Sequence, residues 1–139
     1  MIKHVETDED IMKCFDVMSE LRPHLVRANF LATVQRMMMD GYRMIYIEDS
    51  ENVMAVAGYR ISENLFMGKH LYVDDLVTQE DKRSQGFGRQ LILWLKEFSI
   101  ENGCNVLHLD SGTQRHKAHK FYFSQGFSIA SYHFSQELD

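Results

Sequence analysis

Between residues 69 and 102 an apolar, β-rich stretch, Lys69 to Thr78, gives way to a helical repeat at Leu91, Leu95 and Phe98. The connection carries Arg83-Ser84-Gln85-Gly86-Phe87-Gly88-Arg89. A strand that feeds a helix through so short a turn requires a fold in which sheet and helix pack as layers. Two glycines let the backbone come close to a ligand, and a helix opening at Gly86 presents N–H groups that no intrahelical carbonyl reaches. Those donors, with the helix dipole, favour phosphate oxygens. Taken alone, the segment reads equally as an anion cradle or as a plain connection whose glycines serve packing.

The 139 residues, 45% of them hydrophobic, suffice for one real core and predict a single domain, 1-139. A net charge of -5 argues against a general binder of nucleic acid or anionic membrane, whose phosphates this surface repels on average. Met1 to Glu6 lacks the apolar core of a secretory signal and no later run has membrane-spanning length, so the expected location is cytoplasmic. Cys14 and Cys104 each stand alone in an apolar-periodic segment, which predicts buried free thiols rather than a disulfide or zinc site.

Residues 2 to 6 read as a short strand, and Thr7-Asp8-Glu9-Asp10 as a capping box opening a helix with Ile11, Phe15 and Met18 on one face. That helix should end near Pro23. A second spans Asn29 to Asp40, closed by Gly41. Tyr42 to Glu48 and Val53 to Ser62 suit a hairpin, with Lys69 to Thr78 as the next strand. Helix is then expected from Gly86 to Asn102, strand at Val106 to Asp110, helix from Lys117 to Gln125 and a final strand at Ser128 to Ser135. The order β-α-α-β-β-β-α-β-α-β predicts an α/β (α+β) fold with a mixed, mostly antiparallel twisted sheet and flanking helices. The terminal strand, with Tyr132-His133-Phe134, would pair across a homodimer if it lies on an edge.

Known phosphate loops narrow the reading. A Walker-type loop needs Lys-Ser or Lys-Thr after its last glycine, but Gly88 is followed by Arg89-Gln90. A dinucleotide fingerprint needs a third glycine where Leu91 stands. What remains, Arg83-x-x-Gly86-x-Gly88 entered from Asp74-Asp75-Leu76-Val77-Thr78, resembles the acetyl-coenzyme-A-binding motif of the GNAT superfamily of N-acetyltransferases. Downstream, Ala118-x-x-Phe121-Tyr122-x-x-x-Gly126-Phe127 resembles the second signature of that superfamily, and the element order is similar across the whole chain. Two positions depart from the pattern. Ser84 stands where glycine is frequent and is expected to hold ordinary backbone angles. Arg115 replaces an asparagine that often helps hold the pantetheine arm.

The resemblance implies an acyltransferase that passes acetyl from acetyl-CoA directly to an amine. Backbone N–H groups from Gln85 to Arg89 would hold the pyrophosphate, with Arg83 adding charge. Lys82 and the Arg115-His116-Lys117 cluster are either solvated charges or partners of the nucleotide's extra phosphate. Leu76, Val77 and Thr78 would give main-chain bonds to the pantetheine arm and an N–H to the oxyanion, and His119 would join the cofactor side. The acyl group would sit where this strand and Val106 to Asp110 splay apart.

A protonated amine must lose a proton before it attacks, and Asp74 and Asp75 are the candidates to receive it, directly or through water. Because successive strand residues point to opposite faces, one aspartate should face the cleft while the other caps a turn or pairs with a basic residue. Tyr122 would protonate the departing thiolate; otherwise it packs beside Phe121 and Phe123. His116, His119 and Asp110 lack the spacing of a metal site, so no metal is expected. Either histidine, with Ser111, would instead line the acceptor cleft, as would Arg22 and His24. The charge favours a small cationic amine acceptor; a protein or peptide acceptor, or a non-catalytic acyl-CoA sensor, are the alternatives.

Overall fold

Five strands, β1 (Ile2–His4), β2 (Arg43–Asp49), β3 (Asn52–Asn64), β4 (Gly68–Thr78) and β5 (Val106–Leu109), form one sheet in that order in the computed structural model, which describes all 139 residues. Neighbours run antiparallel except β4 and β5, which are parallel and therefore joined by a crossover helix. The sheet belongs to a unit spanning Met1–Leu109; Asp110–Asp139 forms a second.

Strand alternation divides the first unit into two cores. One face of the sheet contributes Met44, Tyr46, Val56 and Val77, and the residue after β1 contributes Val5, to a cluster with α1 (Asp8–Lys13), α2 (Phe15–Leu21) and α3 (Arg27–Met39). The other face packs on α4 (Phe87–Glu101), which buries Leu91, Ile92 and Leu95. There Trp94 and Phe98 stack at 4.7 Å, and Tyr59 meets both rings at 6.1 and 5.6 Å.

The expected capping box is present. Thr7 Oγ1 accepts from the Asp10 N–H at 3.1 Å, while Asp10 Oδ2 accepts from the N–H groups of Thr7 (3.2 Å) and Glu6 (2.9 Å). The expected single first helix, however, is two. The Cys14 N–H turns to the Ile11 carbonyl, three residues back, at 3.1 Å, and α2 begins at the next residue. The tightened turn keeps Ile11, Cys14, Phe15, Val17 and Met18 all in the core. Burial pushes the Cys14 thiol up to about 12, so it is an inert packing group. Cys104 is also a free thiol, though only half-buried.

In the second unit α5 (His116–Ser124) stops at Gly126, whose φ of +89° suits a helix-ending glycine. The strand expected at Ser128 to Ser135 is absent: residues 127 to 139 adopt no regular structure. Ile129, Tyr132 and Phe134 are 73%, 85% and 92% exposed. Strand propensity alone does not make a strand, and no strand of the sheet pairs with this segment: the sheet ends at β5. No helix is long and apolar enough to cross a membrane.

The Asp10 carboxyl lies below its usual range: partial burial pushes it up, but the amide donors of Glu6 and Thr7 outweigh that. A folded-state value below the ordinary 3.8 means that its contribution is present above the unfolded value and is lost as pH falls through the folded one. Asp10→Asn should therefore flatten the acid limb of stability, measured as urea midpoints from about pH 5 down to about pH 2. Thr7→Ala should lose about 1 kcal/mol at neutral pH. An unchanged acid limb in Asp10→Asn would contradict the capping role.

Candidate active site

The strand that distinguishes this sheet is β4. It pairs with β3 from Gly68↔Asn64 to Thr78↔Ala55, but with β5 only from His70↔Val106 to Val73↔Leu109. Beyond Val73 the strand runs on to Thr78 with no strand on its second edge. The end of the β4–β5 pairing, where β5 stops at Leu109, coincides with a bulge: Tyr59 faces Val73 while Gly58 faces Asp75, which leaves Asp74 as the extra residue.

The bulge overturns the expectation that Asp74 and Asp75 point to opposite faces. Shifting the alternation by one residue turns both carboxylates to the face that carries Tyr42 and Arg60. Asp75 is saturated: Oδ2 accepts the Tyr42 hydroxyl at 2.6 Å, and Oδ1 accepts Arg22 Nε at 3.2 Å. Arg22 also donates to the Asp74 main-chain carbonyl at 3.0 Å, so the turn after α2 is tied to the bulge by two bonds. Burial and the Asp75 charge hold the Tyr42 phenol well above its usual value, which keeps it a donor. Asp74 is different. Its Oδ2 accepts Arg60 Nε at 3.1 Å, but Oδ1 is buried with no partner. Burial raises its pKa, against the pull of the Arg60 charge.

Beyond β4 a short 3₁₀ turn, Glu80–Lys82, ends at Arg83, and the chain then passes through two left-handed residues, Ser84 (φ +67°) and Gly86 (φ +85°). The expectation of ordinary angles at Ser84 is thus wrong. The turn demands the conformation that glycine adopts without cost and serine does not. Gly86 caps α4, whose first turn closes with the Gln90 N–H on the Gly86 carbonyl at 3.1 Å. The N–H groups of Phe87, Gly88 and Arg89 lie ahead of that bond. Arg83, Ser84, Gln85, Gly86 and Arg89 are exposed, while Phe87 and Gly88 are half-buried.

In the second unit Tyr122 lies on α5, its phenol raised by burial and partly offset by the charge of Arg115, the residue that caps the helix. It packs on Phe121 and Phe127. His119 donates from Nε2 to the Gly112 carbonyl at 2.7 Å, and His116 lies beside it with ring centres 6.1 Å apart. The Ser111 hydroxyl is buried without a partner.

Three features escaped the sequence reading. Tyr42 and Arg60 carry only strand signals, and their partners lie 33 and 14 residues away. The third is a histidine pair on β4 and β5, with His70 Nδ1 2.8 Å from His108 Nε2. Asn64 Oδ1 accepts the Met67 N–H at 2.6 Å, which orients the amide so that its nitrogen, 3.3 Å from His70 Nε2, donates. His70 must then donate from Nδ1, and the lone pair of His108 Nε2 is occupied. That nitrogen is not a free base.

A Cβ at Gly58 would fall 1.9 Å from the Tyr42 hydroxyl oxygen, so this glycine makes room for the bond to Asp75. Gly58→Ala should cost about 2–3 kcal/mol by overpacking, and urea unfolding beside Tyr42→Phe separates crowding from loss of the hydrogen bond. Ser84→Gly should instead stabilise by about 1 kcal/mol, read as a melting-point rise of roughly 4 °C. A fall would contradict the strain at Ser84.

The Acetyltransferase (GNAT) family model matches residues 7–127. An uncharacterized N-acetyltransferase of Bacillus subtilis (strain 168), YhdJ, is 30% identical over 139 residues, covering 99% of this chain and 98% of that protein. The aminoalkylphosphonate N-acetyltransferase of Salmonella typhimurium is 29% identical over 66 residues, 48% of this chain and 43% of that protein. Among solved structures, AAC(6')-Iy in complex with the bisubstrate analog CoA-S-monomethyl-acetylneamine superposes with a TM-score of 0.87 at 13% identity, over 100% of this chain and 97% of that one, and so shares the fold. With an open-edged β4 leading into the left-handed turn at α4, and with a family match over most of its length, the chain belongs to the GNAT acetyltransferase family and is an acyltransferase.

Proposed function

We propose that the chain transfers an acetyl group from acetyl-CoA directly to a primary amine of a small cationic molecule. The observation that carries this reading is the unpaired edge of β4 from Asp74 to Thr78, continuous with the turn at 84 to 86 and the free N–H groups of α4. An open edge offers alternating donors and acceptors to an extended amide-bearing chain such as pantetheine. The helix terminus offers convergent N–H groups to a pyrophosphate, with Arg83 supplying charge. Leu76, Val77 and Thr78 take the first role and Ser84 to Arg89 the second.

The amine nitrogen attacks the thioester carbon, a main-chain N–H on the open edge stabilises the oxyanion, and the C–S bond breaks as the tetrahedral centre collapses. Tyr122 gives its proton to the departing thiolate; burial keeps the phenol protonated at neutral pH. Asp74, the aspartate whose pKa burial raises, takes up the proton of the ammonium through water, since its unmatched oxygen is buried. Asp75 is a positioning residue, since Arg22 and Tyr42 occupy both of its oxygens. The relative named for aminoalkylphosphonates acts, by that name, on a small amine, which supports a small acceptor over a protein one.

Acetyl-CoA at about a hundred times its dissociation constant should stabilise the chain by about 2.7 kcal/mol. Thiol release should follow with some member of a panel of polyamines, aminoglycosides, aminoalkylphosphonates and peptides. Release with peptides alone would overturn the small-molecule reading, and stabilisation without any release would point to a sensor. Tyr122→Phe should lower kcat roughly 100-fold while leaving acetyl-CoA affinity near wild type. In the wild type the alkaline limb of kcat should lie above the ordinary phenol value of about 10, because activity is lost only as pH rises through the raised value. An unchanged kcat in the variant would remove Tyr122 from the mechanism.

A further inference from the structure

We infer that a cleft on the α4 side of the sheet, apart from the proposed acetyl-CoA track, binds a small aromatic carboxylate. The cleft holds about 340 Å³ and is lined by His4 of β1, Gly41, Arg43 of β2, Tyr59 and Ile61 of β3, and Phe98 of α4. Its volume falls within the range of small-molecule sites, about 300–1,000 Å³. Register brings these side chains together. Arg43 pairs with Tyr59, and His4 pairs with Ile45, which pairs with Ala57, so His4, Arg43, Tyr59 and Ile61 share the face on which Tyr59 meets Trp94 and Phe98. None of the lining residues belongs to the open edge of β4, to the turn at 84 to 86 or to the first turn of α4.

The lining selects the ligand. Arg43 Nη1 donates to the carbonyls of Met38 at 2.9 Å and Tyr42 at 2.7 Å, which ties the guanidinium to the end of α3. Its Nε and Nη2 make no hydrogen bond within the chain, and Arg43 belongs to none of the ion pairs. A planar fork held at one nitrogen and unmatched at the other two suits a carboxylate. Tyr59 is only 3% exposed, yet its hydroxyl has no hydrogen-bond partner and is not sealed from solvent, so it can donate to the same group. The rest of the lining is ring surface: Phe98 stacks on Trp94 at 4.7 Å, and His4 stands edge-on to these two rings at 6.2 and 5.1 Å. A flat ring beside the carboxylate extends that cluster by edge or offset contact. No carboxylate lines the cleft and Arg43 repels cations, so an amine acceptor does not suit it.

Amide NMR of the full chain, titrated with benzoate and phenylacetate at constant ionic strength, tests the assignment. Saturable shifts should appear below about 10 mM, as ligands of this size allow, at residues 4, 41 to 43, 59 to 61 and 98. No saturation with either probe, or shifts confined to residues 74 to 78 and 84 to 89, would overturn the inference. Benzamide, the neutral isostere, should bind about tenfold more weakly than benzoate; equal affinities would remove the carboxylate from the argument. Arg43→Gln should abolish that preference. Because Arg43 also ties the end of α3, Ile61→Trp serves as a second variant: it fills the cleft from a half-exposed position and should abolish benzoate binding with circular dichroism unchanged. Full benzoate affinity in either folded variant would contradict the site.

Discussion

A strand inside a sheet normally spends its backbone on both neighbours, and the site in this chain depends on one strand that does so for only half its length. β4 is held by β3 from end to end, yet β5 leaves it after Val73. An edge strand must be paired, covered or guarded, because free N–H and C=O groups form a template for another chain. Here the exposed template is short and leads at once to a helix N-terminus, which offers the same kind of unmet donors. An extended ligand that carried both amide and phosphate groups would suit the two together.

Holding such an edge open requires that the surrounding backbone be fixed by other means. Arg22 after α2, Tyr42 just before β2 and Arg60 on β3 do this, converging on the two aspartates at the bulge. The arrangement separates the roles of two adjacent carboxylates by bonding alone. Asp75 is saturated by a guanidinium and a phenol, so removing either donor would leave a partly buried charge short of partners. Asp74 keeps one buried oxygen unmatched. Gly58 belongs to the same device, since any side chain there would displace the Tyr42 hydroxyl from Asp75.

Features that depend on neighbours within a turn or two were legible in the sequence: the capping box at Thr7, the apolar stripe of α4, the glycines that end helices, and the strand-to-helix turn itself. Features that depend on distant pairing were not. The bulge at Asp74 arises from how β3 and β4 meet across the sheet, so local alternation misplaced one aspartate. Tyr42, Arg60 and the His70–His108 pair look like ordinary strand residues until the sheet brings their partners close. Ser84 was misjudged because its left-handed angles are set by the turn and oppose the preference of the residue. The break at Cys14 and the missing terminal strand were not legible either: periodicity and propensity state what a segment can bury, while packing and pairing with distant parts of the chain decide the backbone it adopts.

On the proposed function, the open half of β4 and the first turn of α4 would form one track for acetyl-CoA. Amide hydrogen exchange with and without acetyl-CoA tests it most directly, because it reads the main-chain donors themselves. Protection should appear in two blocks, the outward-facing amides within residues 74 to 78 and those of residues 84 to 89, with the amides of β1 and β2 unaffected. Binding that leaves both blocks exchanging at their unliganded rates would contradict the account.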